Sequence, residues 1–203
     1  MARMTPAEDT LTALIHLLDR EGYDAVTVDQ LAREAGMSRA TFFRHVGGKE
    51  EVVFADHAAL LERLDAFLRG TALPVDEVLA EAVLQVFRHH VQDPERARAR
   101  ARLLRGSQAL RTRELLTSHR YEVLFSDWLS RTLPDAPERG GVAAGLAAAV
   151  VAVHNRALRA WLRTPDDDAE AALRADVTTV VTRLTHAPGE AERTLAAVRR
   201  LLA

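Results

Sequence analysis

The chain has 203 residues, of which 48% are hydrophobic and 28% charged. That balance suits a water-exposed globular fold large enough to bury a core without staples. Twenty-seven basic residues face 29 acidic ones, so a generally basic coat for nucleic acid is excluded. Cysteine is absent, which removes disulfides, thiolate metal sites and cysteine catalysis. Of the basic residues only Lys49 is a lysine.

Apolar residues recur three and four apart along most of the chain, the pattern of amphipathic helices, and no convincing alternating strand intervenes. The expected fold class is all-α. The start, Met1 to Asp9, acquires acids by position 8 and lacks the apolar stretch of a secretory leader. The longest apolar run, Gly140 to Val153, is short for the roughly 20 residues of a spanning helix. The expected address is the cytoplasm, with no membrane partner.

Thr5 and Pro6 open the first helix, whose apolar stripe is Leu11, Leu14, Ile15 and Leu18, and Gly22 closes it. Thr27 and Gln30 have capping-box spacing ahead of Val28, Leu31 and Ala32. Gly36 ends that short helix, and Ser38 caps a third one from Arg39 to about His45. Two short helices joined by Gly36-Met37-Ser38 form a helix-turn-helix. Its second helix is the element that enters a DNA major groove while the first braces it. No acid occurs between Gly36 and Lys49, whereas Arg39, Arg44, Lys49 and His45 do. Gly47-Gly48-Lys49 is not a phosphate-binding loop, because Glu50 follows the lysine and Phe43 stands at the upstream glycine position.

Residues 21 to 52, with Thr27, Ala35-Gly36, Thr41-Phe42-Phe43 and Lys49-Glu50-Glu51 as landmarks, resemble the DNA-binding domain of TetR-family transcriptional regulators. Phe43 departs from the family's usual Tyr and Val46 from its usual Phe. The resemblance implies a helix-turn-helix domain over residues 1–50 and a helical ligand-binding and dimerisation domain over 51–203. It also implies a homodimer on a palindromic operator, a small-molecule ligand, repression, no cofactor and no catalysis.

The DNA-contacting set implied by chemistry and resemblance is Thr27, Ser38, Arg39, Ala40, Thr41, Phe43, Arg44, His45 and Lys49. Thr27 can offer its hydroxyl or N–H to a phosphate, Arg39 can grip guanine O6 and N7, and Lys49 adds charge at a helix start. Phe42 and Val46 are expected in the core.

A single long helix is expected from Glu50 to Arg69. Arg96, Arg98, Arg100, Arg102 and Arg105 form a basic stretch, a solvated face by default and an anion partner by alternative. Residues 102–114 and 157–162 are similar to a TetR subgroup that includes the mycofactocin-system regulator, some members of which bind acyl-CoA thioesters. A hydrophobic or acyl-CoA-like ligand follows from that likeness. Phe87, Tyr121, Phe125, Trp128 and His154 are the candidate pocket residues, with core packing as the plainer role for each. Gly141, Ala144, Gly145, Ala148 and Ala152 give one helix a small-residue side. With the helix from Ala169 to about His186, it can build a four-helix dimer interface. A last amphipathic helix is expected from Glu190 to Ala203.

Two other functions compete. An all-helical enzyme lacks a metal-spaced cluster, since the adjacent His89 and His90 point to different helix faces, and lacks a nucleophile turn or glycine-rich cofactor turn. A protein-binding adaptor leaves the acid-free stretch unexplained.

Overall fold

A computed structural model of the chain describes residues 8–185, which form ten helices and, among the described residues, no strand. The expected cap at Thr5-Pro6, the end of the late helix at His186 and the segment Glu190 to Ala203 lie outside the described residues.

Helices α1 (Glu8–Glu21), α2 (Val28–Glu34), α3 (Arg39–His45) and α4 (Lys49–Phe54) make the N-terminal unit. Local chemistry sets their ends. Gln30 N–H donates to Thr27 Oγ1 at 3.3 Å and Thr27 N–H donates to Gln30 Oε1 at 2.8 Å, completing the capping box. Ser38 Oγ accepts from Thr41 N–H at 3.2 Å. Gly36 sits at φ +65°, where a residue with a Cβ is strained, and this lets Met37 N–H reach back to Ala32 carbonyl at 2.8 Å.

The expected helix from Glu50 to Arg69 is two helices: α4 stops at Phe54, and α5 (His57–Gly70) begins two residues past Ala55. No Gly or Pro marks the break. Asp56 turns inward there, and its Oδ2 accepts from His89 Nε2–H at 2.7 Å.

The C-terminal unit is α5 with α6 (Val75–Val91), α7 (Pro94–Gly106), α8 (Gln108–Thr132), α9 (Arg139–Arg163) and α10 (Ala169–Thr185). One core gathers apolar residues of α5, α6, α8, α9 and α10, among them Leu64, Leu79, Phe87, Leu129, Leu146, Val150 and Val177. A second core holds Leu14, Leu18, Leu31, Phe42, Val46, Val52 and Val53, and it also takes in Ala99, Leu103 and Leu110 from α7 and α8. The helix-turn-helix is thus seated on α7 by shared apolar burial, with Arg102–Asp19 at 2.6 Å and Arg113–Glu51 at 3.6 Å at its margins.

By composition and length α9 passes for a membrane span, longer than its apolar run suggested. Its Ala143, Leu146, Ala147 and Val150 are buried against neighbouring helices, as in a core helix.

Candidate functional site

Two places concentrate chemistry. The first is the outer side of α3. Ser38, Arg39, Ala40, Phe43 and Arg44 are all exposed, while Phe42 and Val46 point inward with 0% and 3% exposure. Thr41 and His45 are half-buried flanks, and Thr27 is exposed at the start of α2. A helix shows one face at spacings of three and four, so the inward Phe42 fixes which residues project. Arg39 is not a free cation here: its Nη1 lies 3.1 Å from Asp29 Oδ1 on α2, and its guanidinium rests 5.7 Å from the Phe43 ring centroid. The acid-free stretch in sequence therefore has an acid beside it in space. Both groups of that ion pair are largely exposed, so it is weak and exchangeable.

Lys49 departs further from expectation. Its ammonium donates to Tyr23 carbonyl at 2.6 Å and to Val26 carbonyl at 3.2 Å, and lies 4.3 Å from the Tyr23 ring centroid. It ties α4 to the loop between α1 and α2, a structural task that spacing alone did not reveal.

The second place is a cavity of about 440 Å³ among α4 to α9. Tyr121, Phe125 and His154 line it as expected. Phe87 and Trp128 do not: both are buried core residues, and Phe87 packs edge-on against His154 and Trp161. Sequence reasoning missed His57 and His90 here and offered Arg100 only as one of five arginines with an anion partner as the alternative; the three meet in the cavity's inner part. Arg105, Arg111, Arg159 and Arg163 surround its outer part, all exposed and none within ion-pair distance of a described carboxylate. The basic stretch on α7 is sorted by helical phase. Arg96 is buried beside Asp93, Arg102 faces Asp19, and Arg100 and Arg105 face the cavity. His89 and His90 do point apart, one to Asp56 and one to the cavity.

The inner histidines are neutral. Burial, and then the charge of Arg100, push His57 down to about 3. Burial pushes His154 to about 4, against the hydrogen bond with Asn155 and with Arg159 and Arg100 adding to the fall. His90 is lowered by burial and by Arg100. Burial alone would raise Asp56, but the His89 hydrogen bond and nearby positive charge hold it well below the usual carboxylate range.

The unfolded chain takes up histidine protons near pH 6.5, whereas the folded chain resists them until about 4 or lower. Stability is therefore full above that pH and declines as pH falls from there toward the folded values. The expected slope is about 1.4 kcal/mol per pH unit for each resisting histidine. Urea unfolding between pH 7.5 and 5 checks this, and a stability that is flat or rises on acidification contradicts it.

Residues 11–55 match the sequence model of the family described as bacterial regulatory proteins, tetR family. The chain thus carries a TetR-type N-terminal helix-turn-helix domain. No curated protein sequence matches the chain. Its fold is that of several solved transcriptional regulators. The regulator FadR from Bacillus subtilis, solved with stearoyl-CoA, superposes with a TM-score of 0.60 at 16% identity, over 87% of this chain and 98% of that one. The SmeT–triclosan complex gives 0.56 at 20% identity, over 85% and 90%. Native NalD, the secondary repressor of the MexAB-OprM multidrug efflux pump in Pseudomonas aeruginosa, gives 0.51 at 19%, over 84% and 96%.

Proposed function

We propose that the chain is a cytoplasmic, non-enzymatic, operator-binding transcriptional repressor that a small anionic amphiphile releases from DNA. The observation that carries the DNA half is the single open face of α3, which presents Ser38, Arg39, Ala40, Phe43 and Arg44 while Phe42 anchors the helix behind them. Thr41 and the first residues of α3 lie toward base edges, Thr27, Arg44 and His45 toward phosphates, and Phe43 packs on sugar and backbone. Arg39 exchanges Asp29 for a base edge or phosphate on docking. Lys49 acts there mainly by holding the α1–α2 loop in place.

Dimerisation follows from α9, whose Gly141, Ala144, Gly145, Ala148 and Ala152 side is exposed in the single chain. Paired with α10, it offers a face on which a second copy packs closely. A two-fold dimer sets its recognition helices about 34–36 Å apart on a near-palindromic site.

The cavity supports the ligand half. Its outer arginines suit phosphate or sulfate oxygens and its apolar wall suits a carbon chain, the chemistry of an acyl-CoA. FadR's stearoyl-CoA complex and the likeness of residues 102–114 and 157–162 to the mycofactocin-regulator subgroup point the same way. Phe54 and His57 line the cavity at the α4–α5 break, so an occupant touches the joint that carries the helix-turn-helix. It acts only through its differential affinity for the two dimer states, and DNA weakens ligand binding by the same factor.

A gel shift on the DNA upstream of the protein's own gene tests the reading. Binding should be sequence-specific and fall steeply with salt as counterions are released. Arg39→Ala should cost on the order of 1–3 kcal/mol and relax preference at a subset of base pairs. Absence of any specific complex at low salt overturns the reading.

A further inference from the structure

The inner part of the cavity is more polar than a site for a plain hydrocarbon tail requires. Arg100 lines it, and the Arg100 guanidinium is within 4 Å of no described carboxylate. Its one hydrogen bond among the described residues is from Nη2 to His57 Nε2, and it lies over the Phe54 ring at 5.0 Å. A guanidinium only donates, so His57 Nε2 accepts and the imidazole proton sits on Nδ1. That Nδ1–H then donates to the Tyr121 hydroxyl oxygen at 2.8 Å. The consequence is directional. The Tyr121 hydroxyl proton has no acceptor among the hydrogen bonds of the described residues, and Arg100 retains unused N–H groups. Two donors, one of them cationic, thus sit at the inner wall beside neutral imidazoles, while the Asp56 carboxylate, 3.9 Å from His57 Nε2, is committed to His89 and bonds neither. His154, neutral and donating Nδ1–H to Asn155 Oδ1 at 3.2 Å, leaves a buried Nε2 lone pair without a partner in the same cavity, an acceptor and so no aid to an anion.

Tyr121 is buried and Arg100 half-buried, and donors turned into an apolar-walled cavity gain from an acceptor placed between them. A carboxylate satisfies both: two oxygens match the guanidinium fork, and one lone pair remains for the tyrosine hydroxyl. We infer that Arg100 and Tyr121 form a second anion-recognition point at the inner end of the cavity, so that the ligand is a chain carrying a carboxylate at the end opposite its outer anionic head. This rests on the proposed ligand site but not on the DNA half of that reading. An ordinary fatty acyl chain would leave the donors unmet and bring its methyl end against a guanidinium. The carboxylate occupant also competes with His57 for Arg100, at the first turn of α5.

Isothermal titration of the full chain with decanoyl-CoA and with decanedioyl-CoA, which differ only by the far carboxylate, reads this directly and needs no operator. The wild-type protein should bind decanedioyl-CoA about tenfold or more tightly. Arg100→Gln should reverse that preference, because the carboxylate then enters the cavity without a countercharge. Tyr121→Phe should narrow the preference without reversing it. Equal affinities in the wild type, a preference for decanoyl-CoA, or no binding of either ester overturns the inference, whether or not Arg100→Gln folds. A failed gel shift with the ester preference intact would count against the operator reading alone. A specific gel shift with no ester preference would count against this inference alone.

Discussion

Replacing Phe42 by Ala should cost about 3–5 kcal/mol, the range for emptying a buried aromatic site. Phe42 has no exposed surface and stands in the core formed by α1 to α4 with Ala99, Leu103 and Leu110. The loss is a large part of the roughly 5–15 kcal/mol that separates folded from unfolded chains. For a chain of this size it should lower the melting temperature by roughly 6–20 °C. DNA binding should fail with it, because α3 loses the anchor that fixes which of its sides faces outward. Phe43→Ala is the matched control. Phe43 is 43% exposed, so its effect on melting should be small, although DNA affinity should drop. A Phe42→Ala protein that melts like the wild type would show that α3 is held by something other than this contact.

Asp56→Ala should have the second large effect. Asp56 Oδ2 takes the proton of His89 Nε2 at 2.7 Å, and Oδ1 lies 3.9 Å from His57 Nε2. Removing the carboxylate strands a buried donor on His89, worth about 1–3 kcal/mol. It also removes a carboxylate whose charge acts on Arg100, His57 and His90, which adds to the loss. The damage should be local as well as global. Amide exchange across residues 52–60 should speed up more than exchange in α9, because the break between α4 and α5 has lost its fastening. Asp56→Asn keeps an acceptor oxygen and should sit between the two. Uniform acceleration over the whole chain would mean that Asp56 contributes to general stability and does not organise the break.

The helix-turn-helix was legible in the sequence because its determinants are local. Thr27 with Gln30, Gly36, and Ser38 with Thr41 each act over three or four residues, and each makes its expected hydrogen bond or backbone angle. The α4–α5 break was not legible. Its cause lies 33 residues away at His89, and helix periodicity runs through it undisturbed. The cavity divided along the same line. Tyr121, Phe125 and His154 share their positions with an apolar face that spacing exposes, so they were found, but Phe87 and Trp128 belong to equally good apolar faces that point elsewhere. His57 was missed because it sits in no apolar pattern, and Arg100 was not singled out from its run of arginines for the same reason. The run of arginines on α7 carried a usable signal: at spacings of two, successive members of a helix cannot share one environment, so some had to turn inward. Which ones did so depended on where α1, α4 and α8 lie against that helix.

The Lys49 clamp has a practical consequence. The chain's side chains offer amine chemistry a single address, and they offer thiol chemistry none. That one amine is engaged by two carbonyls of the loop between α1 and α2. Its rate of reaction with a mild acylating reagent therefore reports how often this loop lets go. Unlabelled protein thus already contains its own probe of the helix-turn-helix, and the Lys49 peptide is told by mass from one acylated at the α-amine.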